Sequence, residues 1–150
     1  MPRNKIRILI ADDELFIREG LKEALEKPHF QIDLAANGVG ARDMIRSTSY
    51  DLVILDLRMP GLSGMELLAE IRDESPDTQS ILLTAHGNGT TAVAAMKLGA
   101  FDFITKPVEI DHLRLLVDRA LENLELLQQN RSLQDRLKTQ DSFRRIVRRS

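Results

Sequence analysis

The chain has no cysteine and no tryptophan, one tyrosine and three dispersed histidines among its 150 residues. Without cysteine there is no disulfide framework, no thiolate nucleophile and no cysteine-ligated zinc. The scattered histidines argue against a histidine-rich metal site. No apolar run approaches the ~20 residues that a membrane helix needs. The basic start, Met1 to Lys5, leads into an apolar run that stops at Asp12, too early for the core and cleavage site of a signal peptide. These absences predict a cytoplasmic protein with no membrane partner. An excess of positive charge is also missing from the main body. The net charge of -2 divides into +5 over residues 131–150 and -7 over residues 1–130, so only the tail carries even a weak electrostatic footprint for nucleic acid.

What is present is a regular alternation. The 43% hydrophobic content and the length suit one domain with an appended element. Apolar runs at Lys5 to Ala11, Phe30 to Ala35, Leu52 to Leu55, Gln79 to Thr84 and Phe101 to Ile104 read as strands. Between and after them lie segments of helical period, whose first apolar or boundary residues are Leu15, Val39, Met65, Thr90 and Glu109. The run Leu52 to Leu55 has no polar alternation, as expected for an interior parallel strand covered on both faces. Five strands alternating with five helices predict an α/β fold, a doubly wound five-stranded parallel sheet. The last helix extends into a helical or coiled-coil linker.

Such sheets place chemistry at the carboxyl ends of their strands. Asp12 and Asp13 follow the first strand, Asp56 the third, Thr84 the fourth and Lys106 the fifth. Singly, each has an ordinary explanation: a helix cap, a turn before Pro60-Gly61, a loop lysine before proline. Jointly they bring three carboxylates, a hydroxyl and an ammonium to one sheet edge. So much like charge is costly without a cation, and an all-oxygen site suits Mg²⁺. Asp13 and Asp56 are the natural direct ligands, with Asp12 acting through water and a backbone carbonyl, that of Arg58, completing the set. A divalent ion beside a lysine favours phosphoryl chemistry, with Asp56 as nucleophile.

Asp12-Asp13, Asp56 with Met59-Pro60-Gly61, Thr84-Ala85 and Lys106-Pro107 together resemble the signature of response-regulator receiver domains of two-component signalling, over roughly residues 4–123. The resemblance implies the strand order 2-1-3-4-5, phosphorylation of Asp56 by a sensor histidine kinase, and Mg²⁺, for which Mn²⁺ can substitute, held by Asp12, Asp13, Asp56 and the Arg58 carbonyl. It makes Thr84 the switch hydroxyl, Lys106 the phosphate-binding lysine on a cis bond to Pro107, and Phe103 the aromatic switch residue. Arg58 and His86 fall at positions that influence access of water to the phosphate. Such a receiver assists its own phosphotransfer and autodephosphorylation rather than turning over as a conventional enzyme. A different aspartyl-phosphate hydrolase is a rival reading, but it calls for a carboxylate where Arg58 stands. A non-catalytic interaction module is the other.

Beyond the receiver, Leu126, Asn130, Leu133 and Leu137 are spaced 4, 3 and 4, a heptad seam with one polar position. The expected organisation is a receiver at 1–123, a linker at 124–141, and a basic tail at 142–150 that begins an output domain. A homodimer is expected through the face of the fourth helix, fifth strand and fifth helix, through the linker, or through both. The stretch Ala100 to Pro107 and the leucine-spaced helix resemble receivers of transcriptional activators that work with sigma factor 54. DNA would then be met only through the output domain. Phe143 to Val147 loosely resembles the lead-in to their ATPase, though Arg148-Arg149-Ser150 lacks the usual preceding glycine. A histidine kinase or a cyclic-dinucleotide enzyme as the output is the alternative.

Overall fold

Every residue of strand β3, Leu52–Asp56, is buried, and the fold is arranged around that strand. The computed structural model describes residues 5–85 and 89–149, with side chains described for 5–85 and 90–139. The elements run β1 (Ile6–Ala11), α1 (Leu15–Leu25), β2 (Phe30–Ala35), α2 (Gly38–Ser47), β3, α3 (Gly64–Glu74), β4 (Gln79–Thr84), α4 (Gly89–Lys97), β5 (Asp102–Thr105) and α5 (Ile110–Arg149). The five strands form one sheet in the order β2-β1-β3-β4-β5. Each neighbouring pair is parallel. The fold class and strand order expected from the sequence are therefore those observed.

The unbroken apolar run of β3 follows from its position. Successive side chains in a strand point to opposite faces. Leu52 and Ile54 join Ile8, Ile10, Ile81 and Leu83 in the layer closed by Leu21 of α1 and by Leu113, Leu116, Val117 and Ala120 of α5. Val53 and Leu55 join Leu9 and Leu82 in the opposite layer, closed by Ala41, Leu67, Leu68, Ile71 and Ala95 from α2, α3 and α4. Both faces are dry, so alternation would be destabilising at every second position. Each fully buried Leu or Ile contributes about 1.5–3 kcal/mol by leaving water.

Local signals set the helix starts. The Asn37 side chain accepts from the Gly40 N–H at 2.7 Å, and the Ser63 hydroxyl accepts from the Glu66 N–H at 3.2 Å. Each satisfies one of the donors that a helix N-terminus leaves unpaired.

Helix α5 is 40 residues long, and the helical pattern read from the sequence as far as Leu137 continues to Arg149. Its inward stripe ends with Ala120 and Leu124. Beside that end Asn123 donates to Gln79 Oε1 at 2.9 Å, and past it Arg131 is paired with Asp77 at the α3–β4 corner. The seam residues Leu126, Leu133 and Leu137 are exposed, as is Asn130. At ~100° per residue they lie on the side of the helix roughly opposite Leu124. The Phe143 to Val147 motif lies outside the described side chains. Among the described residues no helix is long and apolar enough to cross a membrane.

The chain leaves β3 through a turn that depends on two glycines. Gly61 has φ +85°, a left-handed conformation that disfavours any side chain. Gly64 donates its N–H to the Leu57 carbonyl at 3.1 Å, and a Cβ there would sit 2.5 Å from the Asp56 carbonyl oxygen and 2.8 Å from Leu57 Cα. Both obstacles are backbone, so neither can rotate aside. Gly64→Ala is expected to destabilise the fold by about 1–3 kcal/mol. Urea unfolding should show this as a lower midpoint with an unchanged slope.

Candidate functional site

Register brings the acids together. Ala11 of β1 pairs with Leu55 of β3, so Asp12 and Asp56 leave adjacent strands side by side. Asp12 is wholly buried, Asp56 is 5% exposed, and Asp13 faces solvent. Carboxylate oxygens of all three lie within 4.8 Å of one another. Lys106, one residue past β5, reaches the same spot from the far side of β4. Its ammonium lies 3.0 Å from Asp12 Oδ2 and 3.1 Å from Asp56 Oδ2. The Lys106 N–H donates to the Thr84 carbonyl at 2.8 Å, which ties the lysine's main chain to the end of β4. The Lys106-Pro107 peptide is cis, as the resemblance implied.

The remaining polar atoms are held by backbone. Asp56 Oδ1 accepts from the Arg58 N–H at 3.0 Å, and Asp12 Oδ1 accepts from the Glu14 N–H at 2.8 Å. Asp12 Oδ2 is different. It touches the ammonium, but the contact lacks the alignment of a hydrogen bond, and among the described residues nothing else satisfies that buried oxygen. Two buried carboxylates thus share one ammonium. Burial, reinforced by the charge of Asp12, pushes the Asp56 carboxyl above its ordinary range, while the Arg58 N–H and Lys106 oppose the rise. Burial alone would lower Lys106, but its contacts with Asp12 and Asp56 outweigh that and raise it. The excess negative charge, the under-satisfied Asp12 oxygen and the all-oxygen donors fit a hard divalent cation such as Mg²⁺. The site can therefore coordinate one.

A family model described as "Response regulator receiver domain" matches residues 8–118. The chain belongs to the receiver family. Among curated relatives, this receiver is 38% identical to the regulatory protein AtoC of Escherichia coli over 133 residues, 89% of this chain and 29% of that protein. It is 41% identical to the response regulator protein PilR of Pseudomonas aeruginosa over 115 residues, 77% of this chain and 26% of PilR. The receiver thus spans little more than a quarter of these relatives. Among solved structures, NtrX from Brucella abortus superposes with a TM-score of 0.80 at 36% identity, covering 87% of this chain and 30% of that one. A response regulator receiver domain protein from Clostridium thermocellum gives 0.74 at 37% identity, covering 81% and 98%.

Of the residues singled out in the sequence, Asp12, Asp13, Asp56 and Lys106 meet directly. Thr84 is buried at the end of β4, beside Asp56 through the pairing of Asp56 with Leu83. Phe103 sits in register with Leu82 and packs, half-buried, against the α2–α4 layer of the core. Arg58 is exposed and engages Asp56 through its N–H. His86, and with it most of the loop following Thr84, lies outside the described residues. Sequence reasoning missed Gly64, whose signal was only one glycine among several. It also missed Arg18, which donates from Nη1 to the Asp12 carbonyl at 2.8 Å and belongs to no recognisable motif.

A carboxyl whose pKa is raised on folding makes the native state bind its proton more tightly than the unfolded chain does. Without metal, the contribution of Asp56 to stability therefore falls as pH rises from 3.8 through its raised folded value. Lys106 acts the other way: its contribution is fully present below 10.5 and is lost as pH climbs through its raised folded value. In metal-free buffer at neutral pH, Asp56→Asn should stabilise the domain by about 1 kcal/mol, a rise of a few degrees in Tm. The gain should shrink on acidification. Thermal melts of both proteins from pH 4 to 7 measure it.

Proposed function

We propose that the chain is a phosphorylation-dependent switch in which Asp56 takes a phosphoryl group from a sensor histidine kinase. The observation that carries this reading is the meeting of Asp12, Asp13 and Asp56 with the Lys106 ammonium at one strand edge. Asp12, Asp13, Asp56 and the Arg58 carbonyl would hold Mg²⁺ or Mn²⁺. When bound, the ion supplies positive charge against the transferring group's oxygens.

The protein's own groups do the rest. A carboxylate oxygen of Asp56 attacks phosphorus, the new O–P bond forming as the donor's P–N bond breaks and its electron pair returns to the imidazole. No general base is needed, because the attacking oxygen carries no proton once Asp56 is ionised. Lys106 already contacts Asp56 Oδ2 and is placed to follow the charge onto a phosphoryl oxygen. Thr84, on the neighbouring strand, donates its hydroxyl to another. Its displacement carries the start of α4, and Phe103 turns into the space behind it, a shift between two packed states.

Readout follows α4, β5 and α5. That face carries exposed Val93, Met96 and Leu115, and the same helix presents Leu126, Leu133 and Leu137 further along. Residues 1–123 act as the receiver, 124–141 as a coiled-coil linker and 142–150 as the start of an output domain. A homodimer forms through this face and the linker, with Asn130 fixing a parallel register. The output is transcriptional activation, in line with the resemblance to sigma-54-dependent activators. DNA is contacted only through the output domain. The receiver works in the cytoplasm.

Acetyl phosphate with Mg²⁺ is expected to add one phosphoryl group to the wild type, seen in the intact mass, and none to Asp56→Ala or to the wild type in EDTA. Beryllofluoride should change the oligomeric state of the wild type alone in light-scattering chromatography. Labelling that persists in Asp56→Ala would exclude Asp56 as the acceptor.

A further inference from the structure

The N–H, the carbonyl and Oδ1 of Asp12 are each hydrogen-bonded, and Oδ2 has the Lys106 ammonium beside it without a hydrogen bond. The Asp12 N–H donates to the Ala35 carbonyl at 3.1 Å, and Oδ1 accepts from the Glu14 N–H. The carbonyl is held by a side chain, the Arg18 guanidinium, at 2.8 Å. That carbonyl belongs to the planar peptide unit joining Asp12 to Asp13. Whatever grips it sets the plane between the two acids, and so the direction in which each carboxylate leaves the chain. The local frame offers little other help. Helix α1 begins with no side-chain cap at Glu14 and no acid in its first turn. Arg18 stands on that helix, anchored through its own N–H to the Glu14 carbonyl at 3.1 Å.

We propose that Arg18 is a positioning residue for the acidic pocket: by holding the Asp12–Asp13 peptide, it keeps both carboxylates aimed for a divalent cation. The inference rests on the cation-binding reading above. Charge and position make opposite demands here. A guanidinium beside the pocket repels a divalent cation, so removing it through charge alone would tighten binding. Loss of its grip lets the peptide rotate and weakens binding. Partners behind metal ligands commonly matter by about 10–100-fold in affinity.

Isothermal titration with Mg²⁺, run on the wild type, Arg18→Met, Arg18→Lys and Asp13→Asn, tests this, with metal-free thermal melts alongside. Arg18→Met retains most of the apolar stem and removes the donor. It should weaken Mg²⁺ binding ~10-fold. Arg18→Lys keeps the charge without the planar fork and should fall between it and the wild type. Should Arg18→Met fail to fold, Arg18→Lys, at lower affinity with an intact melt, carries the test. Affinity that is unchanged or tighter in a folded Arg18 variant overturns the proposal, as does an Arg18→Lys affinity equal to the wild type. If the wild type binds Mg²⁺, Asp13→Asn abolishes it and Arg18→Met leaves it intact, only the role of Arg18 fails. If the wild type binds no Mg²⁺, the cation-binding reading fails with it.

Discussion

Two carboxylates, Asp12 and Asp56, are taken out of water with, among the described residues, only one ammonium between them. Breaking a buried ion pair ordinarily leaves an uncompensated charge and costs several kcal/mol. This pocket begins with such an imbalance and tolerates it through the neighbouring backbone, because the N–H groups of Glu14 and Arg58 each stabilise one carboxylate oxygen. The surroundings are correspondingly rigid. Strands β1 and β3 are locked in register, the Asp12 main chain is held on both sides, and the turn after Asp56 folds back so tightly that Gly64 has no room for a Cβ. Added positive charge relieves the imbalance, which is why the geometry suits a cation.

The sheet topology is what makes the pocket possible. Parallel strands with right-handed crossovers send every carboxyl end to one edge. The two carboxylate-bearing strands are neighbours at the centre, and the lysine arrives from β5 across β4. That reach suits a long, flexible side chain. It also lays Lys106 against the end of β4, where its N–H is bonded to the Thr84 carbonyl.

Much of this was legible from the residues. The apolar runs identified the strands, since only a strand dry on both faces can lack polar alternation. The strand-end residues identified Asp12, Asp13, Asp56, Thr84 and Lys106 because a single sheet edge gathers them. Less legible were features that depend on the path of the backbone through space. Gly64 matters through a distance to the Asp56 carbonyl that no local pattern encodes, and Arg18 through a bond to main chain, which carries no identity to match. The extension of α5 to Arg149 was also hard to foresee, because seven basic side chains over residues 131–150 dilute the helical period.

The phase of α5 bears on how such receivers can be recombined. The buried stripe ending at Leu124 and the exposed leucines that follow occupy opposite sides of one uninterrupted helix. A partner helix laid along those leucines would hold each receiver on the outer flank of the pair, at an azimuth set by the number of residues between stripe and seam. Adding or deleting seven residues there preserves that azimuth, because seven residues make very nearly two turns. Adding two would swing the leucines by ~200°, towards the receiver's own side. Under the dimer proposed above, linker length would work as an indexing wheel, with the azimuth of each receiver reset in heptad steps.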